Sequence, residues 1–139
     1  MLNVPSDSER NSWNLFLQRF IAKNGEDKLI VVNHSVWLKE LLSLEKKYDD
    51  IHLKRKISSI VTLILNNPIF CTRFENAAEL PEHIDKLLYD RTINDRFLFE
   101  ASAHTNDKII ITTDKKLIAR FSQQSEFRVV HLDAFLASY

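Results

Sequence analysis

The stretch Lys108-Ile-Ile-Ile-Thr-Thr-Asp-Lys-Lys-Leu117 decides the fold. Three consecutive isoleucines followed by threonine are typical of a short strand that is buried on both faces. Asp114 follows directly, and the apolar residues between 117 and 121 recur at the spacing of a short helix. A buried strand that leads at once into a helix is a unit of a parallel α/β sheet. The stretch therefore predicts an α/β fold.

The same alternation of strands and helices extends over the rest of the chain. Leu29–Val32 is a second run typical of a buried strand, and further strands are expected at 69–72 and 127–130. Apolar periodicity predicts helices after Ser6, near Ser35, at about 53–65, at 83–88, from Asp95 onward, after Asp114 and in a final turn capped by Asp133. The 139 residues therefore predict one domain with a parallel sheet and helices on both faces.

Composition excludes several classes of function. Lys plus Arg and Asp plus Glu number 19 each, so no global positive field attracts nucleic acid, and any RNA binding must use a local patch or a metal. Gly25 is the only glycine, whereas phosphate-binding loops and dinucleotide fingerprints need several. The five histidines show no His-x-x-x-His spacing, which argues against a structural zinc site.

The lone cysteine and the apolar pattern bear on location. Cys71 cannot form an internal disulfide, which suits a reducing compartment, and its apolar neighbours predict a core residue rather than a nucleophile. No apolar run approaches the ~20 residues that a membrane helix requires. The first ten residues are too acidic and too poor in apolar residues for a signal peptide. We therefore expect a cytoplasmic protein with no membrane association.

Two aspartates follow from this architecture as candidate site residues. Asp114 stands at the carboxyl end of a predicted strand, and Asp95 opens the preceding predicted helix, whose start should lie near the same sheet edge. Converging carboxylates offer the oxygen ligands that Mg²⁺ or Mn²⁺ prefers, and such ions activate water for phosphate chemistry. The alternative is that both residues only cap helices, since Asp is a preferred N-cap.

Two motifs carry a resemblance to a known family. The segment Asp90-Arg-Thr-Ile-Asn-Asp-Arg-Phe-Leu-Phe-Glu-Ala-Ser-Ala103, followed by 108–117, resembles the second half of a PIN domain, closest to the toxins of toxin–antitoxin pairs. In that family an acidic residue precedes a Phe-Leu-x-x-Ala helix, and a strand ends in Thr-x-Asp-x-x-Leu. Residues 129–136 resemble the last strand and closing Phe-Leu helix, and 29–41 the second strand and its helix. The resemblance covers about residues 12–139 and implies a three-layer sandwich with a central parallel sheet and helices on both faces.

The resemblance also implies an activity, which is hydrolysis of RNA phosphodiester bonds by an Mg²⁺- or Mn²⁺-dependent ribonuclease. Glu40, Asp95 and Asp114 would be three of the four family acids, with catalytic and metal-binding roles. Glu40 falls within the apolar arc of its predicted helix, where a carboxylate needs a partner such as a metal. Glu45 falls within the same arc, so a chance glutamate is the alternative. The implied partners are RNA, an antitoxin protein and a second copy in a homodimer.

One feature of the family is missing or displaced. The first family acid ends a central first strand in an Asp-Thr-Asn-like motif, which this chain lacks. Only Leu2-Asn3-Val4 could supply that strand, and Pro5 suits a central strand poorly. Asp7 is the nearest acid and a candidate metal ligand, although it fits better in the first turn of the helix that Ser6 caps. The alternatives are a catalytically inactive PIN-like domain acting as an interaction module, or an unrelated α/β binding domain.

Four basic residues lie beside the candidate acids in the sequence: Arg91, Arg96, Lys115 and Lys116. In a ribonuclease they would contact RNA phosphates and position the strand. The alternative for each of them is an ordinary charge on a solvated face.

Overall fold

Helices alternate with short strands in the structure, a computed structural model that describes residues 6–36, 38–39, 51–88 and 95–139. Val36, Leu38 and Lys39 are helical. The described elements, in chain order, are helix α1 (Asp7–Ala22), strand β1 (Leu29–Val32), helix α2 (Ile51–Ile60), a π-helix (Val61–Leu65), strand β2 (Cys71–Phe74), helices α3 (Glu82–Leu88) and α4 (Arg96–Ser102), strand β3 (Ile109–Thr112), helix α5 (Lys115–Arg120), strand β4 (Arg128–His131) and helix α6 (Leu132–Leu136).

The four strands pair in parallel, as the alternating pattern predicts. β1 pairs with β2 from Leu29 opposite Cys71 onward, and β3 pairs with β4 from Ile109 opposite Arg128 onward. Within the described ranges these pairs form two separate two-stranded sheets rather than one continuous central sheet. The mixed α/β class is therefore confirmed, with short parallel strands as its sheet component.

Helices connect the two sheets and cover them. Helix α4 contacts both β1 and β3, and α6 contacts α1, β3 and β4. Two clusters of buried side chains result, one between α1, β1, the π-helix and α6, and the other between α3, α4, β3 and α5. Ile111 of β3 packs against the first cluster while its neighbour Ile110 belongs to the second. The strand that precedes Asp114 is therefore held between both cores.

Local capping and burial of the first helix agree with the sequence pattern. Ser6 Oγ accepts the Glu9 amide at 3.2 Å, which confirms the expected N-cap of α1. Phe16 and Phe20 are buried, whereas Ile21, which directly follows Phe20, is 44% exposed. No helix in the described part of the chain has the length and apolarity needed to span a membrane.

Two expected boundaries are wrong in instructive ways. The strand expected at 69–72 starts two residues later, because Asn67 Oδ1 accepts the Ile69 amide and the Asn67 carbonyl accepts the amides of Phe70 and Cys71, which holds a turn. The last helix is capped by the His131 ring, whose Nδ1 accepts the Asp133 amide at 3.1 Å. Asp133 therefore is not the cap that the sequence predicted.

The cysteine lies where the sequence predicts it. Cys71 opens β2, its side chain is buried in the first core cluster, and the thiol is free. Burial raises the pKa of the Cys71 thiol, which opposes formation of the nucleophilic thiolate. Cys71 is therefore a core residue.

Candidate functional site

Asp114 follows β3 by two residues and starts α5, as the sequence predicts. Its amide donates to Thr112 Oγ1 at 3.1 Å, which fixes the turn between the strand and the helix. Its Oδ1 accepts the amides of Lys116 at 3.0 Å and Leu117 at 3.2 Å. The capping interpretation of Asp114 is therefore confirmed, and both of these bonds use one carboxylate oxygen of an exposed side chain.

Asp95 differs from Asp114 although it occupies the same position before a helix. It precedes α4 with helical dihedral angles (φ −97°, ψ −1°), and its side chain makes no capping hydrogen bond. An N-cap residue normally has extended dihedral angles, which let its side chain reach back to the first helical amides. The capping interpretation of Asp95 is therefore wrong, and capping does not explain why its carboxylate is half-buried.

The two aspartates influence each other electrostatically. The pKa of Asp95 is raised, first because burial disfavours the charged carboxylate and second because the negative charge of Asp114 acts on it. The carboxylate that follows β3 and the one that precedes α4 are therefore within electrostatic range of each other. A half-buried carboxylate held near a second one is stabilised by a cation, and carboxylate oxygens suit Mg²⁺ or Mn²⁺.

The other acids expected to bind metal do not complete this pair within the described chain. Glu40 lies outside the described residues, so its position relative to Asp95 and Asp114 stays a prediction. Asp7 is the first residue of α1, its side chain is 95% exposed, and its carboxylate lies 3.8 Å from Arg10 Nη2. In the portion that the structure describes, no three acidic, histidine or cysteine side chains gather as a metal-binding group.

The basic residues proposed for RNA contact fall into two environments. Lys115 and Lys116 are exposed in the first turn of α5, directly beside Asp114. Arg96 instead forms ion pairs within the chain, with Asp85 of α3 at 2.5 Å and with Glu100 of α4 at 3.8 Å. Arg91 lies outside the described residues. Both lysines therefore have their charges available at the site, whereas Arg96 is already neutralised by two carboxylates.

A cavity of about 400 Å³ lies at the carboxyl ends of β1 and β2 and reaches the first turn of α4. Asn33 and Glu75, which directly follow the two strands, line it together with Arg96 and Glu100. Glu75 is not among the residues that the sequence singled out, because the predicted second strand ended at residue 72. Glu75 directly follows the last residue of β2, Phe74, so the search for acids at strand ends that identified Asp114 also identifies Glu75 when the strand boundary is correct.

Comparison of the chain with protein-family models, with curated proteins and with solved structures gave no match. The resemblance to PIN domains therefore stays a prediction from the motifs at 90–103, 108–117 and 129–136.

Proposed function

We propose that the protein is an Mg²⁺- or Mn²⁺-dependent ribonuclease that hydrolyses RNA phosphodiester bonds, with Asp95 and Asp114 as its paired carboxylates. The observation that carries this proposal is the state of Asp95. Its carboxylate caps no helix, is half-buried, and has its pKa raised by burial and by the charge of Asp114. Acids whose pKa is shifted by burial and by a neighbouring charge are enriched at functional sites, which supports a role for Asp95 beyond the fold.

A PIN-like three-layer sandwich is the architecture that we propose for the whole domain. The two parallel strand pairs would be the halves of one sheet, and α4, which contacts both β1 and β3, supports this arrangement. A segment near residues 2–4 is the candidate for the strand between the halves. The PIN resemblance itself is part of the proposal.

The donor set fits a hard divalent cation. Asp95 offers a carboxylate free of capping bonds, and Asp114 offers the oxygen that its cap does not use. Glu40 and Asp7 are the proposed third and fourth ligands. Asp95 and Asp114 would hold the cation, which would supply activation of water and neutralisation of the charge on the phosphate. Exposed Lys115 and Lys116 beside Asp114 would position the RNA backbone, with Arg91 extending the contact.

Calorimetric titration of Mn²⁺ into the purified protein tests the proposal independently of RNA sequence preference. We expect saturable binding by the wild type, and its loss in Asp95→Asn and Asp114→Asn, because either change removes one of the two negative charges that would hold the cation. Asp107→Asn is the matched control, since Asp107 is an exposed aspartate in the loop before β3. It should bind Mn²⁺ like the wild type.

Two results would contradict the proposal. One is the absence of Mn²⁺ binding by the wild type at millimolar metal. The other is unchanged binding by both site variants, which would place any metal elsewhere. If the wild type binds Mn²⁺ as expected, cleavage of mixed RNA in Mn²⁺, compared with Asp114→Asn, then tests the hydrolytic step.

A catalytically inactive PIN-like interaction module is the second candidate function. The observation that favours it is that the described residues hold no group of three or more potential metal ligands, and that Asp7 lies 3.8 Å from Arg10 in its own helix. In either case the proposed setting is the cytoplasm, and the proposed protein partners are an antitoxin and a second copy of the chain. Failure to bind Mn²⁺ together with a stable dimer or a captured antitoxin peptide would favour this candidate.

A further inference from the structure

The turn between α1 and β1 contains the only glycine of the chain, and an asparagine precedes it. Asn24 and Gly25 both have positive φ, 50° and 91°, and the Glu26 amide donates to the Lys23 carbonyl at 3.3 Å. Positive φ at both central residues defines a type I′ turn, for which Asn-Gly is a preferred sequence. The turn therefore places the side-chain amide of Asn24 directly before a residue that has no side chain.

An asparagine in this position reacts with the backbone that follows it. The Gly25 nitrogen loses its proton to a solvent base and attacks Cγ of Asn24, the Cγ–Nδ2 bond breaks, and ammonia leaves a five-membered succinimide ring. Water then opens the ring at either carbonyl, which gives aspartate or isoaspartate. The reaction consumes one water and releases one ammonia, so it needs no oxidant and no second protein. Glycine hinders the attacking nitrogen least, because it has no Cβ.

Three features of the folded turn permit this attack. Asn24 is exposed, so water reaches its side chain. In the part of the chain that the structure describes, the Gly25 amide donates to no backbone carbonyl, which leaves the attacking nitrogen unshielded. Rotation of the peptide between Asn24 and Gly25 moves that nitrogen towards Cγ and converts type I′ into type II′, in which only the first central φ stays positive. Glycine adopts the resulting negative φ without steric cost, so the hydrogen bond from Glu26 to Lys23 can persist.

The other asparagines of the chain lack this combination, since none of them precedes a glycine. Asn67 precedes Pro68, whose ring nitrogen has no proton to lose. Asn106 is exposed, as Asn24 is, but it precedes Asp107, whose side chain crowds the nitrogen. Asn24 is therefore the asparagine whose surroundings favour ring closure most.

We propose that Asn24 is a site of spontaneous modification, at which the folded protein is converted to aspartate or isoaspartate through a succinimide. Either product places a further negative charge beside Glu26 and Asp27, which are both exposed. Isoaspartate also adds one carbon to the main chain of a closely packed turn, in which a Cβ on Gly25 would lie 2.9 Å from Ile69 Cγ2. The isoaspartate form should therefore have a lower Tm than the unmodified protein.

Incubation of the folded protein at mildly alkaline pH, followed by trypsin digestion and mass spectrometry, tests this proposal. Trypsin releases 24–28 and 97–108 as separate peptides, because each range follows a basic residue and ends in one. We expect the peptide that carries Asn24 to gain the mass difference between –NH₂ and –OH several times faster than the peptide that carries Asn106. The rate should rise with pH in proportion to hydroxide, because the attacking nitrogen must lose its proton.

The variant Asn24→Gln is the matched control. Glutamine keeps the side-chain amide, but its reaction with the Gly25 nitrogen would require a six-membered ring, so the peptide 24–28 should not gain mass. The comparison of Asn24 with Asn106 is made within one wild-type sample and does not depend on how well the variant folds. Enzymatic methylation of isoaspartate distinguishes the two products, and thermal denaturation of the methyl-accepting fraction measures the expected fall in Tm.

Two results would overturn the proposal. One is an Asn24 that stays intact in the folded protein, and conversion in the urea-unfolded chain alone would show that the turn protects the residue. The other is conversion of Asn106 at the same rate as Asn24 or faster, which would show that the glycine and the turn do not direct the reaction.

Discussion

Asp114 is both a helix cap and a member of the carboxylate pair, and two substitutions separate these roles. Asp114→Ala removes the acceptor of two backbone amides, at 3.0 and 3.2 Å, from the first turn of α5. Loss of such a cap lowers the free energy of unfolding by about 1 kcal/mol, within a range of roughly 0.5–2 kcal/mol. In a domain of this size that corresponds to a fall in Tm of about 4 °C.

Asp114→Asn keeps the capping oxygen and removes only the charge. Asn and Asp are comparable N-caps, and the lost attraction of a carboxylate to the helix N-terminus is about 0.3–1 kcal/mol. Removing the charge also relieves the repulsion of Asp95, which acts in the opposite direction. We therefore expect a net change in the free energy of unfolding below about 0.5 kcal/mol.

Urea denaturation of the three proteins at pH 7, in EDTA, measures these differences. We expect wild type and Asp114→Asn to have similar free energies of unfolding, and Asp114→Ala to have a clearly lower one. In the separate Mn²⁺ titration, both variants should lose Mn²⁺ binding. If Asp114→Asn destabilises the protein as much as Asp114→Ala, the charge rather than the cap stabilises α5, and the reasoning is refuted. Wild-type stability of Asp114→Ala would show that the cap contributes nothing measurable.

Three further predictions concern other positions. Gly25→Ala should lower the free energy of unfolding by about 1–2 kcal/mol or more. Gly25 has φ +91°, and an added Cβ would lie 3.0 Å from the Ile69 carbonyl oxygen. Thermal or urea denaturation measures the change, and unchanged stability would contradict the prediction. Asp95→Asn should be more stable than the wild type at pH 7, but not below pH 3.8, the ordinary pKa of the residue. The pKa of Asp95 is raised in the folded protein, so the stability of the wild type falls as the pH rises from 3.8 through the folded-state pKa. A difference in stability that is the same at all pH values would show that the charge of Asp95 is not the cause. Cys71 should react with an aromatic disulfide reagent only after unfolding in urea, because its thiol is buried and its pKa is raised, and rapid labelling of the native protein would show that the core opens.

The sequence predicts those elements whose signal is local. The runs at Leu29–Val32 and Ile109–Thr112 have the predicted bounds, because a short β-branched run between polar residues leaves little freedom in where a buried strand begins. The start of α1 is equally local, since Ser6 and Glu9 lie within one turn. By contrast, β2 starts later than predicted because the Asn67 side chain holds a turn through Phe70, which apolar periodicity does not reveal.

The residues of the candidate site also divide into those with a local sequence signal and those without one. Asp114 is identifiable because it directly follows a clear strand, and that strand end is where the structure places it. The state of Asp95 is not identifiable, because whether an aspartate caps its helix depends on backbone dihedral angles that the sequence does not specify. Glu75 was missed for a third reason, since a two-residue error in a strand boundary moves the strand end away from it. Site prediction is therefore most sensitive to errors at carboxyl ends of strands.

Helix α4 has a consequence for how the protein unfolds. A two-stranded sheet alone is marginal in water, so each strand pair depends on the helices that cover it. Because α4 contacts both β1 and β3, and Phe99 at its centre is 0% exposed, opening this helix removes support from both sheets together. Opening of α4 and global unfolding are thus expected to be coupled, and amide protons of α4 and of both strand pairs should report one common free energy of opening in hydrogen exchange. The site would be present or absent together with the fold.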